Sequence, residues 1–202
     1  MEINLNDVTL YYHIEGFGDP ALVMHGGLGA DHTTFLNSGF NKLSNQLELI
    51  YYDHRCNGRS SFPEIETLTH ENLAADAENL RIALDHKNLT VIGHSYGGIT
   101  GLEYALRYPK NLRRLILITT TPSGTGLGEA RKIAETRAPH LMDAVDKMLS
   151  GNCATDDEFI ELLTILAPLY FKDFHLFEDK FSEAAKDMIP NAAAFRHSFS
   201  EL

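Results

Sequence analysis

Short apolar runs alternate with helical patterns between residues 21 and 119, and this alternation limits the fold more than any other feature of the sequence. Parallel strands need a long crossover connection, so apolar runs separated by amphipathic helices indicate βαβ units. Continuous apolar runs are also typical of strands covered on both faces. The sequence therefore predicts an α/β fold with a mostly parallel, doubly wound sheet. Its strands are expected at 21–24, 47–52, 89–92 and 114–119.

The remaining elements fall into two regions of different character. Residues 2–15 predict two more strands, because apolar and polar residues alternate in the second half of that segment. A glycine-rich linker at 120–128 is followed only by helical patterns, so we expect a core with six strands at 1–120 and a helical cap at 121–202. Helices are predicted at 32–44, 69–85, 99–107, 129–149, 155–170, 172–189 and from about 191, with Thr69 as an N-cap and with Pro139 and Pro168 as points of disruption.

A G-x-S-x-G motif at Gly93, Ser95 and Gly97 stands between a predicted strand and a predicted helix. A serine in such a tight turn is forced into a strained backbone conformation, and only small flanking residues leave room for it. The start of the following helix also brings free N–H groups and the positive end of a dipole close to the hydroxyl. This context predicts that Ser95 is a nucleophile, whereas an incidental serine in a glycine-rich turn would lack it.

Two more polar loops directly follow predicted strands, at His25–Gly29 and at Asp53–Ser60. Ligands of open α/β sheets bind beyond the carboxyl ends of the strands, so both loops and Ser95 are expected at one shared site. Nucleotide binding by the glycine-rich loop is disfavoured, because residues 25–29 lack the G-x-G-x-x-G spacing and no acidic residue ends a strand about twenty positions later, Asp53 being too far.

The composition excludes several classes of function. The formal net charge of −11 would repel nucleic acid and anionic membranes, so we expect neither as a partner. The first residues lack a signal-peptide pattern, and no apolar run is long enough to span a bilayer. The two cysteines, Cys56 and Cys153, form neither a disulfide framework nor a metal-type pair, so a cytoplasmic location is predicted. A serine nucleophile implies neither a metal nor an organic cofactor, because it needs only a base and oxyanion donors.

Three motifs occur in the order found in the α/β-hydrolase superfamily: His25-Gly26-Gly27, Asp53-His54-Arg55-x-x-Gly58-Arg59-Ser60 and Gly93-His94-Ser95-Tyr96-Gly97-Gly98. The chain most resembles the prolyl-iminopeptidase-like and small-esterase branch of that superfamily. The motifs cover residues 1–120, whereas residues 121–202 resemble the helical cap of the family only in character.

The resemblance implies a role for each motif residue. Ser95 would attack an acyl carbon, and the backbone N–H groups of Gly27 and Tyr96 would hold the resulting oxyanion. Glycine suits this loop because the backbone must approach the substrate without a side chain in the way. The other motif residues would support the loops and the turn: His25, Gly26, Asp53, Arg55, Gly93, His94 and Gly97.

The sequence departs from the pattern of this branch at two positions. Leu28 stands where proline is frequent, and Cys56 stands where glycine is usual. A cysteine would be strained at position 56 if the backbone there has a positive φ angle. We assign Cys56 no catalytic role, because no evident base stands near it in the sequence.

The larger departure is that the chain offers no acid and no base for Ser95. In this superfamily a carboxylate and then a histidine follow the serine, after later strands. No strand is predicted after Thr119, and the later histidines, His140, His175 and His197, all fall in predicted cap helices. Three hypotheses stay open: a companion segment that supplies two strands with the Asp and the His, a non-catalytic protein that binds a small ligand, or an inactive fragment.

The substrate is left open as well. The resemblance implies hydrolysis of carboxylic esters or of small amides, and the partner would be a small acyl compound. An aminopeptidase of the prolyl-iminopeptidase type would need cap carboxylates to hold a free amine, whereas an esterase would need only an apolar pocket. The available cap acids are Glu158, Glu161, Asp173 and Glu178.

Overall fold

A computed structural model describes residues 1–36, 38–123 and 126–200. It contains one sheet of six strands, in the spatial order β1-β2-β4-β3-β5-β6. Strands β3 to β6 are parallel, whereas β2 runs antiparallel to both β1 and β4. The predicted α/β sheet is therefore confirmed. The strands are β1 (Glu2–Leu5), β2 (Val8–Glu15), β3 (Asp19–Met24), β4 (Leu47–Tyr52), β5 (Leu89–His94) and β6 (Leu112–Ile118).

Eight α-helices lie in the described residues, and the first three are interleaved with the strands. They are α1 (Thr33–Leu36), α2 (His70–Ala83), α3 (Tyr96–Arg107), α4 (Leu127–Arg137), α5 (Met142–Leu149), α6 (Asp156–Tyr170), α7 (Glu178–Asp187) and α8 (Ala192–Ser200). Short 3₁₀ turns occupy Phe40–Asn45, Ile65–Thr67, Pro139–Leu141 and Phe174–Leu176. Thr69 caps α2 as predicted, because its hydroxyl accepts the N–H of Asn72 at 3.1 Å.

Two helix predictions needed correction. The single helix expected over 32–44 is wrong: α1 ends at Leu36, and Gly39 adopts a left-handed conformation with φ of 81° before a 3₁₀ turn begins. The predicted helix over 172–189 is shorter, because a 3₁₀ turn precedes α7. Pro139 separates α4 from α5 as expected, whereas α6 accommodates Pro168 and continues to Tyr170.

The central strands are buried on both faces, which explains their continuous apolar sequence. On one face Leu22, Met24 and Ile50 pack against α2 and α3. On the other face Val23 and Tyr51 pack with Phe35 of α1. The sheet is thus covered by helices on both sides, and the loops after β3, β4 and β5 leave from one edge.

The last strand differs from the others, since β6 has a strand neighbour on one side only in the described part of the chain. Ile116 and Leu117 are each 42% exposed. A groove of about 330 Å³ lies beside this strand, lined by Leu102, Leu117, Thr119, Thr120, Thr121 and Pro122. Helices α4, α5 and α6 form an apolar cluster of their own, centred on Ala134, Val145, Leu162 and Leu166. In the residues that the structure covers, no helix combines the length and the apolar character needed to traverse a membrane.

Candidate active site

Ser95 forms the sharp turn between β5 and α3, with φ of 51° and ψ of −118°. A non-glycine residue rarely adopts a positive φ, so the surrounding contacts must hold it there. Its N–H donates to the carbonyl of Ile118 at 3.0 Å, and its own carbonyl accepts from the N–H of Gly98 at 2.9 Å. The hydroxyl of Thr120 donates to the same carbonyl at 2.6 Å. The end of β6 and the start of α3 therefore fix the strained turn from both sides.

The glycines of the G-x-S-x-G motif are required by close backbone approaches. A Cβ atom at Gly93 would collide with the carbonyl of Gly97, and one at Gly97 would collide with the carbonyls of Met24 and His25. Side chains at these positions would push α3 away from β3 and β5. The turn that presents Ser95 thus depends on both glycines.

The glycine-rich loop that follows β3 lies directly against this turn. A Cβ atom at Gly26 would be 2.9 Å from the Cβ atom of Ser95. Gly27 adopts a φ of 64° and is exposed, whereas residues 28–33 are buried. The N–H of Ala30 donates to the carbonyl of Gly27 at 3.0 Å and closes a tight turn. The loop therefore touches Ser95 through Gly26, and Gly27 follows as its exposed tip.

Two buried histidines, His25 and His54, connect this loop to the loop after β4. The N–H of His54 donates to Nε2 of His25 at 3.1 Å, which assigns the proton of His25 to Nδ1, 3.3 Å from the carbonyl of Gly26. The two rings lie 4.2 Å apart. Burial lowers the pKa of both side chains, so both are neutral at pH 7. His25 thus acts as an uncharged brace between two loops.

Asp53 organises the loop after β4. Its Oδ1 accepts from the N–H and the Nδ1 of His32, at 2.9 and 2.6 Å, and its Oδ2 accepts from the N–H of Arg59 at 2.8 Å. Burial opposes ionisation, but these hydrogen bonds and the neighbouring histidines keep the pKa of Asp53 below its usual value. Arg55 is buried and donates to both carboxylate oxygens of Asp76 at 2.7 Å. Both motif residues therefore hold the loop through contacts within the protein.

Residues 20–147, more than half of the chain, match the family described as the alpha/beta hydrolase fold. The chain belongs to the α/β-hydrolase family. It is 29% identical over 180 residues to a proline iminopeptidase, PfmaB, of Pestalotiopsis fici, and 29% identical over 180 residues to a proline iminopeptidase of Lactiplantibacillus plantarum. These alignments cover 85% and 84% of this chain but only 63% and 60% of the relatives. The chain thus spans less than two thirds of their length.

Solved structures of α/β-hydrolases share the fold at lower sequence identity. An epoxide hydrolase from Bacillus megaterium aligns over 100% of this chain and 72% of its own, with a TM-score of 0.71 and 18% identity. An esterase from Exiguobacterium antarcticum aligns over 98% of this chain and 71% of its own, with a TM-score of 0.64 and 18% identity. At such identities the likeness supports the fold alone.

The structure adds residues to this α/β-hydrolase site that sequence reasoning missed. The hydroxyl of Tyr96 forms a 2.9 Å hydrogen bond with Nε2 of His70, and the two rings stack at 5.8 Å. Asn57 accepts the N–H of Gly29 at 2.5 Å. Thr120 holds the carbonyl of Ser95, as described above. Asn57 and Thr120 stand just after predicted strands, so strand ends were a usable signal for them, whereas nothing in the sequence linked His70 to Tyr96.

Cys56 lies in the strained conformation that the sequence raised as a possibility, with φ of 62°. Its side chain is fully buried, and its Sγ lies 3.8 Å from the carbonyl of Pro63. Burial raises the pKa of this thiol to about 11. A buried, protonated thiol is not a nucleophile at neutral pH.

No hydrogen bond within the described residues joins the Ser95 hydroxyl to an imidazole. His94 packs its ring edge-on against Phe35 at 5.9 Å, and burial lowers its pKa. Of the later histidines, His140 and His175 are exposed, whereas Nε2 of His197 lies 3.0 Å from the carbonyl of Leu68. The general base that a serine nucleophile of an α/β-hydrolase needs is therefore not supplied by these contacts.

The cap acids considered for an amine-binding site have other surroundings. Glu158 binds Lys147 and accepts the N–H of Ala154 at 2.5 Å, just before α6. Glu161, Asp173 and Glu178 are exposed. Glu158 thus stabilises the start of α6, which is a structural task.

Proposed function

We propose that this protein is a serine hydrolase of carboxylic esters or small amides, with Ser95 as its nucleophile. The observation that carries the proposal is the strained turn of Ser95, which lies directly against Gly26, the neighbour of the exposed Gly27. Strain of this kind persists only where the surrounding structure enforces it, and it concentrates at functional sites. Membership of the α/β-hydrolase family supports the same reaction type.

In the proposed reaction, the Ser95 hydroxyl adds to the acyl carbon while a base takes its proton. The bond to the leaving group then breaks, and the base returns the proton to the departing alkoxide or amine. Water hydrolyses the acyl-enzyme by the same two steps and releases the acid. The N–H groups of Gly27 and Tyr96 hold the oxyanion, and each such donor is worth on the order of 3 kcal/mol of barrier.

We further propose that the base and its carboxylate come from a companion segment that pairs with β6, either later in a longer chain or in a separate one. The outer side of β6 exposes apolar side chains and a groove, and an open apolar edge is costly in water. The relatives above extend beyond the aligned part of this chain by more than a third of their length. We accordingly propose a division into a core at 1–120 and a cap at 121–202. Because Cys56 and Cys153 are buried and unpaired, we also propose a cytoplasmic location.

Two alternatives are each favoured by one observation. The iminopeptidases among the relatives favour an aminopeptidase. The lack of a base on Ser95 in the described residues favours a non-catalytic protein that binds a small acyl ligand. Hydrolysis rates on a panel of esters and of proline amides distinguish the two enzymatic hypotheses, and turnover of neither class favours the binding protein.

A fluorophosphonate probe tests the proposal directly. We expect the wild-type protein, prepared together with its companion segment, to be labelled at Ser95, with the site located by mass spectrometry of its peptides. Ser95→Ala should remove the labelling and lower hydrolysis by about 10³-fold or more, because the nucleophile is lost. Ser150→Ala, at an exposed serine after α5, is the matched control and should be labelled like the wild type. A folded wild-type sample without labelling contradicts the proposal, and intact mass spectrometry of the native sample shows whether a second chain is present.

A further inference from the structure

The segment that leads into α8 is attached to the glycine-rich loop by its backbone. The N–H of Ile189 donates to Oδ2 of Asp31 at 2.9 Å, and the N–H of Asn191 donates to the carbonyl of Gly29 at 2.8 Å. Pro190, between them, has no N–H to donate. Every backbone donor of residues 189–191 is therefore accepted by the loop that carries Gly27.

Asp31 is fully buried, and its carboxylate joins three elements. Its Oδ1 accepts from the N–H and the hydroxyl of Thr33, at 2.9 and 2.5 Å. Its Oδ2 accepts from Ile189 and lies 3.7 Å from a guanidinium nitrogen of Arg59. A buried carboxylate is costly unless its oxygens are hydrogen-bonded and its charge is paired. The N–H of Ile189 is thus one of the contacts that stabilise the negative charge of Asp31 beside the glycine-rich loop.

Packing at Gly29 joins the same two segments. Gly29 has a φ of 96°, and a Cβ atom there would lie 2.7 Å from the carbonyl oxygen of Asn191 and 2.9 Å from the Cβ of Phe195. From the other side, Asn57 accepts the N–H of Gly29. Residues 27–30 form one tight turn, closed by the hydrogen bond between Ala30 and Gly27. A shift of residues 189–191 would therefore move the turn that contains Gly27.

We propose that Asp31 is a positioning residue whose carboxylate latches the cap segment 189–191 to the glycine-rich loop and so fixes the peptide of Gly27. This inference extends the proposed function, since the fixed peptide is the proposed oxyanion donor. The latch itself is a property of the fold, and it is testable without turnover.

Hydrogen exchange read by mass spectrometry tests the latch. Asp31→Ala should accelerate amide exchange by about tenfold or more in two separate peptides, 25–32 and 188–195, because each loses the contact that orders the other. Glu78→Gln is the matched control: this buried carboxylate of α2 binds Arg81, Tyr104 and Asn111 and makes no contact with either segment. The control should leave exchange in both peptides unchanged. Unchanged exchange of 25–32 in folded Asp31→Ala would overturn the latch.

A second variant deletes only the donor of the hydrogen bond. Ile189→Pro removes the N–H, and Met188 already has the extended backbone that a residue before proline requires, with φ of −69° and ψ of 136°. The double variant with Asp31→Ala should exchange no faster in 25–32 than Asp31→Ala alone, because both changes break the same bond. Additive effects of the two substitutions would contradict a direct latch.

The rate of fluorophosphonate labelling separates positioning from simple stability. In Asp31→Ala we expect the maximal labelling rate constant to fall about tenfold, with the half-saturating probe concentration unchanged, because the donor and not the pocket is displaced. Equal labelling kinetics in wild type and variant would refute the positioning role. If wild type is not labelled, the proposed function fails, and the exchange experiment alone decides the latch.

Discussion

Ser95 has two flanks, one on the β3 side and one on the β6 side, and they differ in how many contacts hold them within the described residues. On the β3 side, the glycine-rich loop is held by Asn57, by the His25–His54 pair and by the segment before α8. On the β6 side, the described residues after Ile118 contribute one hydrogen bond, from Thr120, and then a groove whose strand has exposed apolar residues. Under the proposed function, oxyanion binding and general base catalysis would belong to separate parts of this fold. The loop of the proposed donor Gly27 is held by contacts within the described residues, whereas the base is assigned to the proposed companion segment.

Among substitutions on the β3 flank, Gly97→Ala should have the largest effect on stability. A methyl group there collides with the backbone carbonyls of Met24 and His25, which cannot move without parting α3 from the sheet. We expect a loss of about 3 kcal/mol or more in the free energy of unfolding, measured by urea denaturation. Gly128→Ala is the control: this glycine of α4 has open space around its Cβ position and should gain about 0.5–1 kcal/mol. Similar effects at both glycines would contradict the role assigned to the close backbone contacts of Gly97.

The second-largest effect should come from mild acid, which lowers stability through two histidines of the β3 flank. His25 and His54 are buried and their pKa values are lowered from 6.5, so the unfolded chain gains protons below pH 6.5 while the native state does not. Stability is therefore full above pH 6.5 and falls below it, by up to about 1.4 kcal/mol per pH unit for each histidine. The lowered pKa values of Asp53 and Glu78 act only below their ordinary values of 3.8 and 4.5. Burial raises the pKa of Asp76 above 3.8, and this group acts in the opposite sense because its native state takes up the proton first. The loss of stability just below pH 6.5 is therefore assigned to histidines.

Urea denaturation at several pH values between 7.5 and 4.5 measures this slope. His54→Phe removes one titrating group and should flatten the slope. A slope that is the same in His54→Phe and in wild type would show that the acid sensitivity arises elsewhere.

A substitution on the β6 flank tests whether a companion segment covers that flank in the complete protein. Leu117→Lys should change the stability of residues 1–202 by less than about 0.5 kcal/mol, because a side chain that is 42% exposed can keep its charge in water. If a companion segment covers β6, the same substitution should cost about 2 kcal/mol or more in the complete protein, since it buries an unpaired ammonium group. Equal effects in both contexts would argue against a companion segment on β6.

The two flanks also differ in how much of them the sequence could predict. The approximate positions of β3 to β6 along the chain followed from local apolar patterns, and the glycines near Ser95 followed from motif spacing. The connection between Asp31 and Ile189 joins residues 158 positions apart through a backbone N–H, and such a donor leaves no trace in the sequence. The break at Gly39 was signalled by the glycine alone, because Phe35, Leu36 and Phe40 keep a helical spacing although a left-handed residue interrupts the helix.

The smallest predicted effect concerns Ser95 itself. Its φ of 51° is unfavourable for any residue with a Cβ atom, and glycine adopts that region without the penalty. Ser95→Gly should therefore raise the free energy of unfolding by about 1 kcal/mol while it abolishes fluorophosphonate labelling. Ser95→Ala retains the Cβ atom and should show little change in stability, so the pair separates backbone strain from loss of the hydroxyl. A stability gain in Ser95→Gly means that the fold gives up stability at this one residue to present the hydroxyl, whereas destabilisation in both variants would show that the serine side chain supports the turn.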